Sequence, residues 1–423
     1  MFLTSPLAGS ITSEFPEFKH LKTFNSIGGN LTGIDASCFP NIEILICNDN
    51  NIRSINVTNC PTLKELNCGG NPIETLDVTQ NTNLIALSCD HNYYYCDHET
   101  RLSSIDISNN SLLFSLHLNG NKISNIDLSK HIELVELRIS GNNLTSLDLS
   151  NNTKLLQLHC SDNPLLSDLD ISNCTLLYEL QCSSCNISTL DVSKCIHLED
   201  MRIQYNQITQ LDISNHHKLE FLWCLNNKIT ELDVSNCTNL VAFHCGDNLL
   251  TTLDVTKNIK LEQLGFNGNN LTHIDLSHNN KLEYLVCGGK NMTEIDLSNL
   301  SELKEIMCYY NSFKKLDFTA NKKIEMIYAD YGQVEEIILH NNTNLCGLFC
   351  RYNKLSTIDI SNNINLRYLW IGGNMLKTLD ISSNLNLIDL QCNFMPTLST
   401  IYMKHGQNIA SMIYDNGVGI VYK

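Results

Sequence analysis

The sequence predicts a β-rich solenoid, a curved array of about 18 coils with a concave parallel β-sheet and short extended segments on the convex side. Three observations predict it. A unit of about 21 residues repeats in register from Leu21 onward, opening at Leu21, Ile42, Leu63, Leu84, Leu113, Leu134 and so on to Leu387. Within each unit apolar residues fall at positions 1, 4, 6, 11, 14 and 16 with asparagine at 9, a spacing that neither a helix nor a single strand reproduces. The unit is also too short to hold a strand, two turns and a helix.

The elements follow in order. Residues 1–20 precede the first unit and form a short edge cover, with Phe15, Pro16 and Phe18 available to shield an open coil. The solenoid spans residues 21–403 as one domain. In each unit positions 1, 4 and 6 point inward and 2, 3, 5, 7 and 8 outward, which places a strand at about positions 3 to 6. The asparagine at 9 serves backbone groups where the strand turns away. The second half reads Leu-Asp-Leu-Ser at 147–150 or Leu-Asp-Ile-Ser at 211–214, alternating again and ending in a turn. One unit carries eight extra residues around 93–101 and another a single extra residue beside Leu165 and Leu166. Residues 404–423 contain Asp415-Asn416-Gly417 between apolar runs, the signature of a capping β-hairpin.

The pattern LxxLxLxxNxL resembles that of the leucine-rich repeat family, over nearly the whole chain, and the repeat length is similar to the 21-residue bacterial type. The tail from Ser399 onward resembles the endings of surface or secreted leucine-rich repeat proteins of gut Bacteroidota. The resemblance implies a recognition protein whose ligand is a protein, in an extracellular or cell-surface setting. Residues 1–15 lack an early positive charge and a sustained apolar run, so a cytoplasmic location follows if no leader exists.

A formal net charge of −17 argues against nucleic acid or an anionic membrane as partner. No apolar run approaches the roughly 18 residues that would span a bilayer. The 19 cysteines do not read as a disulfide framework. Eleven occupy core position 6, from Cys47 and Cys68 to Cys392, and Cys60, Cys174, Cys195 and Cys237 share turn position 19. They read as small core residues kept as thiols.

Several groups are weighed against chemistry and assigned to structure. The aspartates at position 15, from Asp77 to Asp380, could hold calcium between coils but suit turn capping better. Cys89, His91, Cys96 and His98 have zinc-like spacing, yet Cys89 is committed to the core. Cys182 and Cys185 match a redox spacing but stand at core position 6 and at the asparagine position. His117, His159 and His244 face outward with no nucleophile motif beside them, so no enzyme, metal or cofactor is expected.

The free outward positions carry the functional expectation. Position 5 reads Met307, Tyr328, Phe349, Trp370 in successive units, and position 8 reads Tyr310, Tyr331, Tyr352, then Phe394 after Gly373. Tyr309, Tyr368, Asp330 and Arg351 lie among them, and a smaller cluster gathers Tyr205, Phe221 and Trp223. Large aromatics with arginine on a solvated sheet favour binding of a protein or peptide. A glycan and a purely structural or assembly role are the alternatives, and cross-strand stacking is the simplest structural account.

Overall fold

A computed structural model describes residues 2–4, 8–12, 16–91 and 101–423. The chain divides into two compact units, Met1–Asp212 and Ile213–Lys423, each a parallel β-solenoid almost without helix.

In the first unit every coil contributes a three-residue strand at positions 3 to 5, such as Glu65–Asn67, Glu136–Arg138 and Gln157–His159. Neighbours pair in parallel at one coil's offset, Leu137 opposite Leu158 and Leu116. Each strand buries its middle residue and half-exposes its flanks, because period 2 sends position 4 inward. Leu66, Leu116, Leu137, Leu158 and Leu180 are fully buried there. Truncating any one of them to alanine should cost about 2–5 kcal/mol. Ala86 pairs with Ser115, so the register resumes directly after the eight-residue insertion. That insertion, with Cys96 and His98, falls outside the described residues.

Position 9 and position 19 hold two different asparagine ladders. Asn142 Nδ2 donates to Leu118 O at 2.9 Å and Ile139 O at 3.0 Å, while its Oδ1 accepts the Ile123 N–H at 3.0 Å. Asn152, at position 19, also donates twice, to His131 O at 2.8 Å and Leu128 O at 3.3 Å. Its Oδ1 is buried without a hydrogen-bond partner, as are those of Asn81, Asn258, Asn279 and others at that position. Position 19 therefore needs only a donor. Cysteine and histidine can serve: Cys195 Sγ donates to Cys174 O at 3.5 Å, and His131 Nε2 donates to Ile107 O at 3.2 Å.

The described cysteines are buried thiols, with Cys346 half-buried. Burial pushes Cys60 and Cys174 up to about 12, so neither ionises near neutrality. The position 15 aspartates cap turns, Asp148 Oδ1 accepting the Ser150 N–H at 2.9 Å and Asp77 Oδ1 that of Thr79. No group of three metal-ligating side chains occurs among the described residues.

At the N-terminal end Phe2–Thr4 pairs with Thr23–Asn25, and Ala8–Ile11 pairs with Asn30–Asp35 on the opposite face. Phe18 meets Phe39 edge-on at 5.3 Å, and Phe39 stacks on Phe24. Phe15, and the side chain of Pro16, lie outside the described residues.

The second unit repeats the plan, from Phe221–Trp223 through Glu305–Met307 and Gly347–Phe349 to Ser411–Tyr414. On its other face Lys315–Asp317 pairs with Glu336–Ile338, and Thr378–Asp380 with Thr400–Met403. The expected terminal hairpin does not form. Ser411–Tyr414 pairs in parallel with Asp389–Cys392, and Gly419–Tyr422 pairs in parallel with Thr400–Met403 on the opposite face. The Asp415-Asn416-Gly417 turn rounds a corner of a last coil instead. The preceding coil offers each strand an unpaired edge, and Asp415 ties the corner down by accepting the Phe394 and Met395 N–H groups at 2.9 and 2.7 Å.

Candidate functional site

Position 8 follows the last outward residue of each strand, where the chain must reverse. All ten non-glycine residues with positive φ among the described residues stand at this position. Left-handed backbone favours glycine, asparagine and aspartate and costs other residues about 1–2 kcal/mol. Gly141, Asp162, Asn226, Asp247 and Gly268 obey that preference. Tyr310 (φ 53°), Tyr331 (59°), Tyr352 (53°) and Phe394 (58°) do not, nor does Tyr205 (58°) in the first unit. Four aromatic rings in the second unit thus occupy positions where the fold by itself prefers glycine. The contrast was present in the sequence, since Gly, Asp and Asn fill position 8 in most other units.

The rings form a ladder. Tyr310 and Tyr331 stack with centroids 5.3 Å apart and planes 15° apart, and Tyr331 and Tyr352 at 4.9 Å and 11°. Tyr352 reaches Phe394 at 6.3 Å across the intervening Gly373. The row remains open to solvent, with Tyr310 and Phe394 each 64% exposed.

The inner row at position 5 differs. Tyr328 stacks on Phe349 at 4.8 Å and 7°, and Trp370 meets Phe349 edge-on at 4.9 Å. Phe349 is only 8% exposed, lying over Gly347, where a Cβ would come within 2.8 Å of its ring. Phe349 is therefore a packing residue, a distinction that spacing alone could not make. Arg351 locks the two rows together. Its Nε and Nη2 donate to Asp330 Oδ2 at 3.0 and 2.6 Å, and its guanidinium lies 4.6 Å from the Trp370 ring centroid. Asp330, almost fully buried, also accepts the Arg351 N–H at 2.7 Å. The bond to Asp330 raises the Arg351 pKa further. Trp370 Nε1 donates to Asp389 at 2.9 Å. Burial pushes Tyr309 up to about 12. Tyr368 is half-buried on the same face, 5.8 Å below the Arg367 guanidinium.

Of the second predicted cluster, Tyr205 belongs to the first unit and Phe221 and Trp223 to the second, where Trp223 packs on His244 at 5.0 Å. In the first unit the sheet face is ionic. His159 lies 2.8 Å from Glu179, and Arg202 is paired with Asp200. Ser115 Oγ approaches His117 Nε2 at 3.1 Å, a contact that spacing did not reveal, but Glu136 meets the same nitrogen at 3.2 Å. A catalytic triad needs its carboxylate on the opposite ring nitrogen, so this trio has no relay.

A depression of about 540 Å³ adjoins the outer row, lined by Asp247, Asn267, Gly288, Gly289, Lys290, Tyr309 and Tyr310 among others. A smaller hollow of about 300 Å³ shares Val286 and Met307 with it. A wider hollow of about 760 Å³ is lined by Asn344, Asn365 and Asn386, whose amides are already committed to backbone carbonyls.

The geometry is that of a parallel β-solenoid of the leucine-rich repeat type. No family model matches the chain, and no curated protein matches its sequence. Among solved structures it is similar to the functional domain of InlJ from Listeria monocytogenes, which includes a cysteine ladder. The two share 29% identity over 92% of this chain and 75% of InlJ, with a TM-score of 0.67. It also resembles YopM from Yersinia enterocolitica, at 19% identity over 96% of this chain and 87% of that one, TM-score 0.71. A third similar fold is the plant peptide hormone receptor RGFR1 in complex with RGF2, at 19% identity over 98% and 92%, TM-score 0.57. The similar folds include a protein named as a leucine-rich repeat protein, LIC12759 from Leptospira interrogans. No helix among the described residues is long and apolar enough to cross a membrane.

Proposed function

We propose that this protein is a non-enzymatic recognition protein that binds a protein or peptide partner through the aromatic row of its second unit. The observation that carries the reading is the backbone. Tyr310, Tyr331, Tyr352 and Phe394 are held in left-handed conformation, exposed, at positions that other coils give to glycine or aspartate. Backbone strain kept at an exposed surface points to use of that surface. Stacked rings present edges and hydroxyls outward, an amphipathic strip that tyrosine-rich interfaces employ. The locked Arg351–Asp330 pair beside it limits the side-chain entropy lost on binding. RGFR1, a fold neighbour, is a receptor for a peptide, which fits the partner class.

The test uses glycine, which the backbone prefers at these positions. A Tyr310→Gly, Tyr331→Gly, Tyr352→Gly variant should keep thermal stability within about 1–2 kcal/mol, because relieved strain offsets lost stacking. Partners captured by the wild-type chain should be lost by this variant. Equal capture by both proteins overturns the reading. Phe349→Ala serves as the contrasting control, with an expected loss of about 3 kcal/mol in stability.

A further inference from the structure

The coil opening at Leu282 breaks the repeat where the aromatic ladder stops. Its position 9 is Lys290, exposed, instead of the buried asparagine, and its position 8 is Gly289, outside the left-handed region that this position adopts in every other coil except the one carrying His91. Gly288 precedes it, so two glycines floor the 540 Å³ depression. The contrast with Gly373 is informative. There the Tyr352 ring already lies over the glycine, 2.5 Å from where a Cβ would stand. Over Gly289 the only atom within 4 Å of such a Cβ is Asn269 O at 3.7 Å. Tyr310 leans on Tyr331 with one face. Its other face opens toward the depression, where the next rung carries no ring.

The lining combines this free face and Tyr309 with Val286 and Met307, and its rim carries Asp247, Asn267, Asn291 and Lys290. An apolar side chain placed here would bury amides and charges without partners, which is costly. A ring with an apolar C–H face and hydroxyls along its edge satisfies both parts of the lining. Asp247 and Lys290 are of opposite charge, so the rim favours a neutral ligand. Asn267 Nδ2 donates to Asp247 Oδ2 at 3.2 Å, presetting two of the rim groups. The 300 Å³ hollow, with Gln263, Tyr284 and Glu305, continues the surface and repeats the mix of aromatic and hydrogen-bonding groups.

We infer that the depression over Gly288 and Gly289 binds a neutral saccharide, one pyranose ring stacking on the free face of Tyr310 and a second residue reaching the hollow at Tyr284. This site shares Tyr310 with the partner strip but uses the opposite face of its ring, and Gly289→Phe, which leaves the strip's residues intact, tells the two apart.

Isothermal titration and saturation-transfer NMR of the intact chain with cellobiose, maltose, lactose and N,N′-diacetylchitobiose test the inference. At least one disaccharide should bind with a dissociation constant in about the millimolar range or tighter. Gly289→Phe fills the space from within and should weaken that binding at least about tenfold. Its thermal unfolding should be unchanged, since nothing crowds the new side chain. Tyr310→Phe keeps the stacking face and should retain binding, whereas Tyr310→Ala should lose it. No binding by any of the four sugars at about ten times that constant overturns the inference, as does undiminished binding by Gly289→Phe. Capture of a protein partner by Gly289→Phe at the wild-type level would show the two sites to be distinct.

Discussion

Tyr352 lies across Gly373, its ring atom Cδ1 only 2.5 Å from the place a Cβ would take on that glycine. The missing side chain lets Tyr352 approach Phe394 and carry the ladder over one coil without a rung of its own. Gly373 also has φ +70°, so a substituted residue there is strained and crowded at once. Gly373→Ala should destabilise the chain by about 1–3 kcal/mol and should swing Tyr352 off its stack. Partner capture should fall with it, although residue 373 itself presents no side chain. If the variant binds as the wild type does while losing stability, the Tyr352–Phe394 step is not part of the recognition strip.

The two asparagine ladders predict unequal tolerance of cysteine. Asn152→Cys keeps a donor at a position that uses donors only, and should cost less than about 1 kcal/mol. Asn142→Cys leaves the buried Ile123 N–H without its acceptor and should cost about 1–3 kcal/mol more. Nature's own exception fits this rule. Cys185 stands at position 9, where the N–H left over would be that of Leu166, yet Leu166 donates to Asn163 O at 3.0 Å through a turn made possible by the extra residue beside it. Urea unfolding of the two variants checks the prediction, and equal losses would refute the division of labour.

Stability should fall on acidification in two windows. Burial depresses His131, His159 and His244, so folding holds them neutral and their contribution is present above the unfolded value of about 6.5 and lost as pH falls below it. The turn aspartates follow lower down. Hydrogen bonds from Thr79 hold Asp77 below its usual range, and those from Ser150 do the same for Asp148. Their contribution is complete above about 3.9 and disappears as pH drops through the folded values. Asp90 and Glu305, raised by burial, oppose this but are outnumbered. The urea midpoint should decline gently from pH 7 to 5 and steeply below pH 4. His131→Asn, which keeps the donor at position 19, should flatten the first decline, and a midpoint constant from pH 7 to 3 would contradict both assignments.

The repeat made the fold legible because each core position recurs and a single exception cannot hide the period. Leu66 and Leu137 are buried where spacing puts them, and Asp77 and Asp148 cap the turns expected of them. The ends were not legible in the same way. The Asp415-Asn416-Gly417 turn carries a hairpin's local signature, and only the unpaired edges of the previous coil direct its two strands onto opposite faces. The aromatic rows were found by position, but their different roles depend on depth. Phe349 sinks over Gly347 while Tyr331 stands out from a left-handed backbone, and no one-dimensional pattern separates those two outward residues.

Thiol chemistry offers the most direct check of the core assignment. The cysteines at positions 6 and 19 are buried, and desolvation pushes thiols among them upward, Cys224 and Cys308 to about 12. Thiolate, the reactive form, is therefore scarce as well as inaccessible at pH 8. Cys346 alone among the described cysteines is half-buried, on the sheet-side hollow lined by Arg367 and Glu325. A disulfide reagent such as dithiobisnitrobenzoate should modify Cys346 first, and Cys346→Ser should remove that phase. The buried set should react only as the chain unfolds, at a rate following urea concentration. Fast modification of the buried set in the native protein would mean that position 6 opens to solvent, and the packed ladder of Cys287 and Cys308 beneath the candidate site could not then be rigid.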